Sequence, residues 1–331
     1  MSRTASACLG LALCALAIVF AGCDGPQAAT AEPETAIAGE TYRPPQRPVA
    51  SPTARFFPPR PTATPSPTPV PAMQPTAWGA SPAHNGVGAP AVSAVAALVM
   101  DEASGEVLFE KDAHRRLGPA SLTKIATAIV ALEAGDLERT VDVEFDRSEL
   151  RRSTLMGLEG GDQFSLRDLL YGLMLPSGND AALAIGRALS GSDQAFVDSM
   201  NELAGRLGLV DTHFVNPHGL GRPGHYSSAY DLALLSRYAM SIGEFQLLAS
   251  TRYWTASGSR TIGMGNLNPM LGRYTGADGV KTGYTRSAGK TLVVSAVRDG
   301  RRIYVVLLNA PSRESDATAL LDWAFANHAW P

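Results

Sequence analysis

Cysteine is almost missing from this 331-residue chain: its three cysteines are Cys8, Cys14 and Cys23. Everything after Cys23 has no means of forming a disulfide, so packing alone must hold whatever folds there. Excess positive charge is missing too. Lys and Arg number 28 against 31 Asp and Glu, for a net charge of −3, and no long cationic run occurs. No field attracts a phosphate backbone, so nucleic acid is not an expected partner. The apolar run from Ala7 to Phe20 is too short to span a bilayer comfortably. Proline is scarce late in the chain, because 16 of the 23 prolines lie between Asp24 and Pro90. The whole chain, 45% hydrophobic and 18% charged, has the composition of ordinary globular material. The roughly 240 residues beyond the proline-rich part suffice for one domain with a sizeable core.

The first 22 residues read as an export signal: Arg3 precedes the apolar run, and small Ala21 and Gly22 follow it. The Phe20-Ala21-Gly22-Cys23 junction resembles a bacterial lipoprotein box, in which Cys23 becomes the lipidated first residue, although Phe20 departs from the usual leucine. An ordinary cleaved signal peptide and an uncleaved anchor are the alternatives, and all three place the domain outside the cytoplasm. Residues 23–89 carry Pro44-Pro45, Pro58-Pro59 and a run from Pro61 to Pro71 where proline alternates with Thr, Ser and Ala. Such a segment buries too little apolar surface to fold and favours extended polyproline backbone. It is expected to be a disordered tether reaching on the order of 100 to 200 Å where extended, with residues 90–331 as the folded domain.

Within that domain, Val92 to Met100 and Glu106 to Phe109 are strand-like runs joined by Asp101-Glu-Ala-Ser-Gly105. Pro119 introduces a helix with Leu122, Ile125, Ile129 and Leu132 at helical spacing, closed by Gly135. Ser165-Leu-Arg-Asp168 predicts a capping box for a second helix, stopped by Pro176. Further helices are expected over 181–189, 193–207, 228–240 and 314–326. Thr291 to Val297 and Ile303 to Leu308 flank an Asp299-Gly300 hairpin turn, and Gly279 to Thr282 makes a neighbouring strand. Strands at both ends with helices between them predict an α+β, three-layer fold: an antiparallel sheet of about five strands with helices on both faces.

Three short patterns carry chemistry. Ser121 and Lys124, three apart near a helix start, emerge on one face as a nucleophile and a base. A lysine takes a serine proton only if burial or nearby positive charge holds it neutral. Taken singly, Ser121 is also an ordinary helix-start residue and Lys124 a solvated cation, and Ser287 with Lys290 repeats the pattern in a loop. Ser177-Gly178-Asn179 follows the helix stopped by Pro176 and can aim polar groups into a cleft or cap the next helix, or both. Ser199-Met200-Asn201 shows that the triplet recurs. Lys281-Thr282-Gly283 lies on a strand, where it can hold a substrate carboxylate or simply blunt a sheet edge.

In this order, Ser-x-x-Lys on a helix, Ser-x-Asn on an interhelical loop and Lys-Thr-Gly on a strand are the signature of penicillin-binding proteins and serine β-lactamases. Leu170-Tyr-Gly-Leu-Met-Leu-Pro-Ser-Gly-Asn-Asp-Ala-Ala182, Phe214-Val-Asn-Pro-His-Gly-Leu220 and Gly276-Ala-Asp-Gly-Val-Lys-Thr-Gly-Tyr-Thr285 resemble the low-molecular-weight D-alanyl-D-alanine carboxypeptidases, serine peptidase family S11. Gly178 stands where class A β-lactamases usually have aspartate, and no Glu-x-x-Leu-Asn segment follows. The resemblance implies a β-lactamase/transpeptidase-like fold over about Ala91 to Phe325, with catalytic Ser121, Lys124, Ser177 and Asn179. It implies that Lys281 and Thr282 bind the terminal carboxylate, with Gly283 and Tyr284 beside them, and that the N–H groups of Ser121 and Tyr284 form an oxyanion hole. The implied partners are peptidoglycan stems ending in D-Ala-D-Ala, with β-lactams as inhibitors, on the outer face of a bacterial membrane. A tethered β-lactam sensor that acylates without turnover and a DD-endopeptidase would carry the same motifs. Many relatives add a C-terminal β-rich domain and an amphipathic helix, whose anchoring role the N-terminal tether is expected to take. No cofactor and no metal is expected, because His218 and His225 lack a second ligand at diagnostic spacing and are read as structural.

Overall fold

The computed structural model describes residues 81–144, 150 and 153–331. The export signal, Cys23 and the tether up to residue 80 lie outside the described residues. A two-residue strand, β1 (Ala83–His84), comes first, followed by the hairpin of β2 (Ala96–Asp101) and β3 (Val107–Lys111). A 3-10 turn (Ala120–Thr123) runs straight into α1 (Lys124–Ala134). The ribbon of β4 (Thr140–Asp142) and β5 (Gln163–Ser165) precedes α2 (Leu166–Met174), α3 (Asn179–Ser190) and α4 (Asp193–Arg206). Then come α5 (Ala229–Met240), α6 (Gly243–Ser250) and the ribbon of β6 (Tyr253–Ser257) and β7 (Thr261–Gly265). The chain returns through β8 (Ala277–Thr285), β9 (Gly289–Arg298) and β10 (Arg301–Leu308), and closes with α7 (Arg313–Asn327) and β11 (His328–Ala329).

The main sheet has the order β3-β2-β10-β9-β8 with every pair antiparallel, so the two ends of the domain build one sheet around a helical insertion. Alternation along β10 shows why both faces must be covered. Ile303, Val305 and Leu307 belong to one apolar cluster with Leu320 and Leu321 of α7, while Tyr304, Val306 and Leu308 join the cluster of the helical insertion. The β9–β10 turn has Asp299 at φ 49° and Gly300 at φ 74°, the two left-handed residues that an Asp-Gly hairpin turn requires.

Ile125, Ala126, Ala128, Ile129 and Ala131 are all fully buried, so α1 is a central helix rather than an amphipathic one. Its alanines let neighbouring helices approach closely, and that burial extends to Lys124. The capping box forms by half: Ser165 Oγ accepts from Asp168 N at 3.0 Å, but the Asp168 carboxylate accepts from Trp254 Nε1 and Ser257 N instead of returning to the cap. The β4–β5 and β6–β7 ribbons and α6 have no counterpart among the predicted elements. Trp254 lies stacked on Tyr171 at 3.8 Å, so β6 is set by a tertiary contact that local pattern does not carry. The fold also starts earlier than residue 90. Ala83 and His84 pair with Ala329 and His328, and Trp323 Nε1 donates to Val87 O at 2.8 Å.

Candidate active site

Ser121 sits on the 3-10 turn and Lys124 is the first residue of α1, a spacing that brings Lys124 Nζ to 3.2 Å from Ser121 Oγ. The same Nζ donates to Asn179 Oδ1 at 2.6 Å and to the His218 carbonyl at 2.7 Å. Burial first, and then the positive charge of Lys281, push the Lys124 pKa well below the usual lysine range, while Asp180 pulls it upward. A neutral amine in this cage donates its two N–H groups to Asn179 and His218 and turns its lone pair to the Ser121 hydroxyl. The cage therefore suits proton transfer from Ser121.

The turn that aims Ser121 is strained and braced. Ala120 has φ 52°, a left-handed conformation that an alanine adopts only when its surroundings impose it. Thr123 Oγ1 donates to Ala120 O at 2.8 Å, and His225 Nε2 lies 2.8 Å from the same hydroxyl. Val215 N donates to His225 Nδ1 at 3.0 Å, which leaves Nε2 as the protonated nitrogen and donor. Burial pushes the His225 pKa down to about 4. His218 accepts from Leu220 N through Nδ1 at 3.1 Å, and burial followed by the Lys124 charge takes it to about 3. His218 thus holds the backbone of its own loop, and His225 holds Thr123 and Val215 N.

Ser177 and Asn179 come from the α2–α3 junction. Gly178 is the N-cap of α3, so Asn179 does not cap as one of its two sequence readings had it; its side chain goes to Lys124. Ser177 has φ 60° and is buried, and its Oγ has no hydrogen-bond partner among the described residues. That leaves a buried hydroxyl with its capacity unspent, two residues before the Asn179 that holds Lys124. In the repeat triplet, Ser199 and Asn201 bond inside α4 and to Phe214 O, away from this cluster.

Strand β8 supplies the other wall. It pairs with β9 on one side only, leaving its second edge toward the Ser121 turn. Lys281 is only 2% exposed, so it is no solvated edge lysine; its Nζ donates to Thr282 O at 3.2 Å. Burial, with the charge of Arg313 second, lowers its pKa to about 7. Thr282 is buried beside it, while Tyr284 is 65% exposed. A Cβ at Gly283 would collide first with the Thr291 hydroxyl on β9 and then stand 2.9 Å from Ser121 N and 3.1 Å from Ala120 Cβ, so the space its glycine leaves holds that hydroxyl and the nucleophile's own backbone. Ser287 and Lys290 do not form a second pair. Ser287 Oγ faces Thr285 Oγ1, and Lys290 Nζ donates to Pro311 O.

Two residues of this cluster escaped the sequence reading. Arg313, at the start of α7, donates to Gly283 O at 2.8 Å and Thr291 O at 3.1 Å, and no motif marks it. Asp180 follows the Ser-x-Asn pattern directly, and adjacency was its only signal.

The model of the D-alanyl-D-alanine carboxypeptidase family, peptidase S11, matches residues 83–312. The chain is 34% identical over 244 residues to a D-alanyl-D-alanine carboxypeptidase of Bacillus subtilis, covering 71% of this chain and 63% of the relative. It is 39% identical over 254 residues to the D-alanyl-D-alanine carboxypeptidase DacD of Escherichia coli, covering 72% and 64%. The chain thus spans somewhat less than two thirds of these curated relatives. The crystal structure of a Streptomyces DD-transpeptidase superposes with a TM-score of 0.69 at 34% identity, over 72% of this chain and all of that one. Penicillin-binding protein 6B of Escherichia coli gives 0.68 at 37% identity, over 72% and 79%. The chain belongs to the D-alanyl-D-alanine carboxypeptidase family, peptidase S11.

Proposed function

We propose that this chain is a serine D-Ala-D-Ala carboxypeptidase that removes the terminal D-alanine from peptidoglycan stem peptides through an acyl-enzyme on Ser121. The observation that carries the reading is the buried Lys124 amine, held by Asn179 and the His218 carbonyl with its third contact at Ser121 Oγ. In this reading Ser121 Oγ attacks the carbonyl of the penultimate D-alanine and its proton passes to Lys124. The N–H groups of Ser121 and Tyr284 receive the developing oxyanion, each such donor contributing roughly 3 to 4 kcal/mol in comparable sites. The C–N bond then breaks as Ser177, whose hydroxyl has no hydrogen-bond partner among the described residues, passes its proton to the departing D-alanine nitrogen and takes the one held by Lys124. Water attacks the ester and regenerates Ser121. Lys281 and Thr282 hold the substrate's terminal carboxylate, at an end of the cleft made more positive by Arg313. The chemistry draws on side chains, two backbone N–H groups and water, and calls for no cofactor or metal.

Incubation with a peptide ending in D-Ala-D-Ala, followed by mass spectrometry, tests the reading. Released D-alanine is the expected outcome. A persistent penicillin adduct without release identifies a sensor instead, cleavage of a cross-linked dimer an endopeptidase, and transfer to an added amine the activity named for the Streptomyces relative. The reading extends to location. Residues 1–22 export the chain, Cys23 carries the lipid, and the tether holds the catalytic domain off the outer face of the membrane. Among the described residues no helix is long and apolar enough to cross a membrane.

A further inference from the structure

Asp180 is fully buried, and no salt bridge partners it among the described residues. Its carboxylate is nonetheless fully used. Oδ1 accepts from Met156 N at 2.8 Å and Ala181 N at 2.9 Å, and Oδ2 accepts from Gly157 N at 2.8 Å and Leu158 N at 2.9 Å. Four backbone N–H groups converging on two oxygens form an anion nest made by the chain for its own side chain. Three of the four donors come from segment 154–158, which Met156 and Leu158 also anchor in the core.

That segment also grips the Ser-x-Asn triplet directly. Thr154 Oγ1 donates to Ser177 O at 2.8 Å, and Thr154 O accepts from Asn179 N at 2.9 Å. Gly178 between them has no room for a side chain, since a Cβ there would stand 2.7 Å from Asp180 Oδ1 and 2.8 Å from Met156 N. Ser177, held at φ 60°, thus has its carbonyl tied to Thr154, its following residue wedged on the nest, and Asn179 tied back to Thr154.

We infer that Asp180 is a positioning residue for the acyl-transfer site: its carboxylate fastens segment 154–158 onto the start of α3 and so sets where Ser177 and Asn179 meet Lys124. The inference rests on the proposed role of Ser121 and Lys124. Asp180 also acts on Lys124 through charge, opposing the burial and the Lys281 charge that lower the Lys124 pKa. The groups facing that amine are Ser121 from its own turn, Asn179 and Asp180 from α3, Lys281 from β8 and the His218 carbonyl, with His218 itself beyond it.

Asp180→Asn is nearly isosteric but replaces one oxygen with an NH2 group that cannot accept, placing donor against donor at the nest. The second-order rate of acylation by a fluorescent penicillin is expected to fall at least tenfold, with the labelling endpoint still one per folded molecule. Loss of the negative charge lowers the Lys124 pKa further, so the acidic limb of the rate profile shifts to lower pH; a role in folding alone leaves that limb in place. A rate within twofold of wild type, or a fall without movement of the limb, overturns the inference. Should Asp180→Asn fail to fold, Thr154→Val at a surface position removes only the tie to Ser177 O. A fall of threefold or more then supports the inference, and an unchanged rate overturns it. Wild type run in parallel separates the two levels, because a wild type that neither labels nor releases D-alanine sinks the enzymatic reading itself.

Discussion

Gly283 and Ser121 approach so closely that a single added carbon on Gly283 would lie 2.9 Å from the Ser121 backbone nitrogen. That nitrogen is one of the two proposed oxyanion donors, so strand β8 and the nucleophile's turn are one fitted unit. Gly283→Ala should displace the Thr291 hydroxyl that holds Pro119 O and push the Ser121 turn away from β8, lowering kcat/KM by about 10-fold or more, since sub-ångström misplacement at a reacting centre is costly. Thermal stability should fall as well. Unchanged kinetics would show that the two elements part without loss.

Ser121→Ala should abolish both D-alanine release and covalent labelling by fluorescent penicillin while the circular dichroism spectrum stays the same, because alanine is well tolerated at a helix start. Ser287→Ala should label normally, its hydroxyl pairing with Thr285 Oγ1 rather than with Lys290 among the described residues. Labelling of the Ser121→Ala variant would move the nucleophile elsewhere.

Lys281 carries a pKa lowered to about 7 by burial and then by Arg313. The charged form that attracts a carboxylate is therefore present below that value and is lost as pH rises through it. KM for a peptide with a free terminal carboxylate should rise on the alkaline side. Lys281→Arg, whose guanidinium stays protonated, should flatten that limb even as its different geometry lowers the maximum. Lys281→Ala should lose most activity on such peptides, and equal activity would refute carboxylate binding by this residue.

His225 is held neutral, its pKa taken from 6.5 to about 4. The unfolded chain binds a proton in that window and the folded chain does not, so the stability tied to neutral His225 is complete above pH 6.5 and is lost as pH falls toward 4. The slope is about 1.4 kcal/mol per pH unit for each proton, and His218, lowered to about 3, adds its own share. Denaturant midpoints from pH 7 to 4 should show the loss. His225→Gln, which keeps an amide acceptor and donor, should remove about one proton from the slope. An unaltered slope would mean that His225 is not buried as described.

Cys23→Ser in the native host should release the domain into the medium or leave an unprocessed precursor, because a lipoprotein terminus with two or three chains holds a membrane firmly where one does not. A fragment starting near residue 81 should match the full chain on soluble peptides, since β1 begins at Ala83. An unlipidated Cys23 in the mature protein's mass spectrum would refute the anchor.

The sequence by itself determined the sheet-helices-sheet order, because strand and helix periodicities are local, and Asp299-Gly300 named its turn for the same reason. It also determined the three motifs, whose order along the chain is what makes them specific. It did not contain the meeting of those motifs, since Ser121, Asn179 and Lys281 belong to segments joined only by the packing of a buried α1 among its neighbours. The fate of Asn179 was decided there: its amide can cap a helix or hold an amine, and the proximity of Lys124 selects the second. So was the low pKa of Lys281, because a lysine on an edge strand is solvated by default and only tertiary burial, with the Arg313 charge second, lowers it. Asp180 and the β6–β7 ribbon were illegible for a related reason. Four backbone N–H groups around one carboxylate, or a tryptophan stacked on a distant tyrosine, leave no periodic trace in the segments that supply them, and only the folded chain brings those segments within reach.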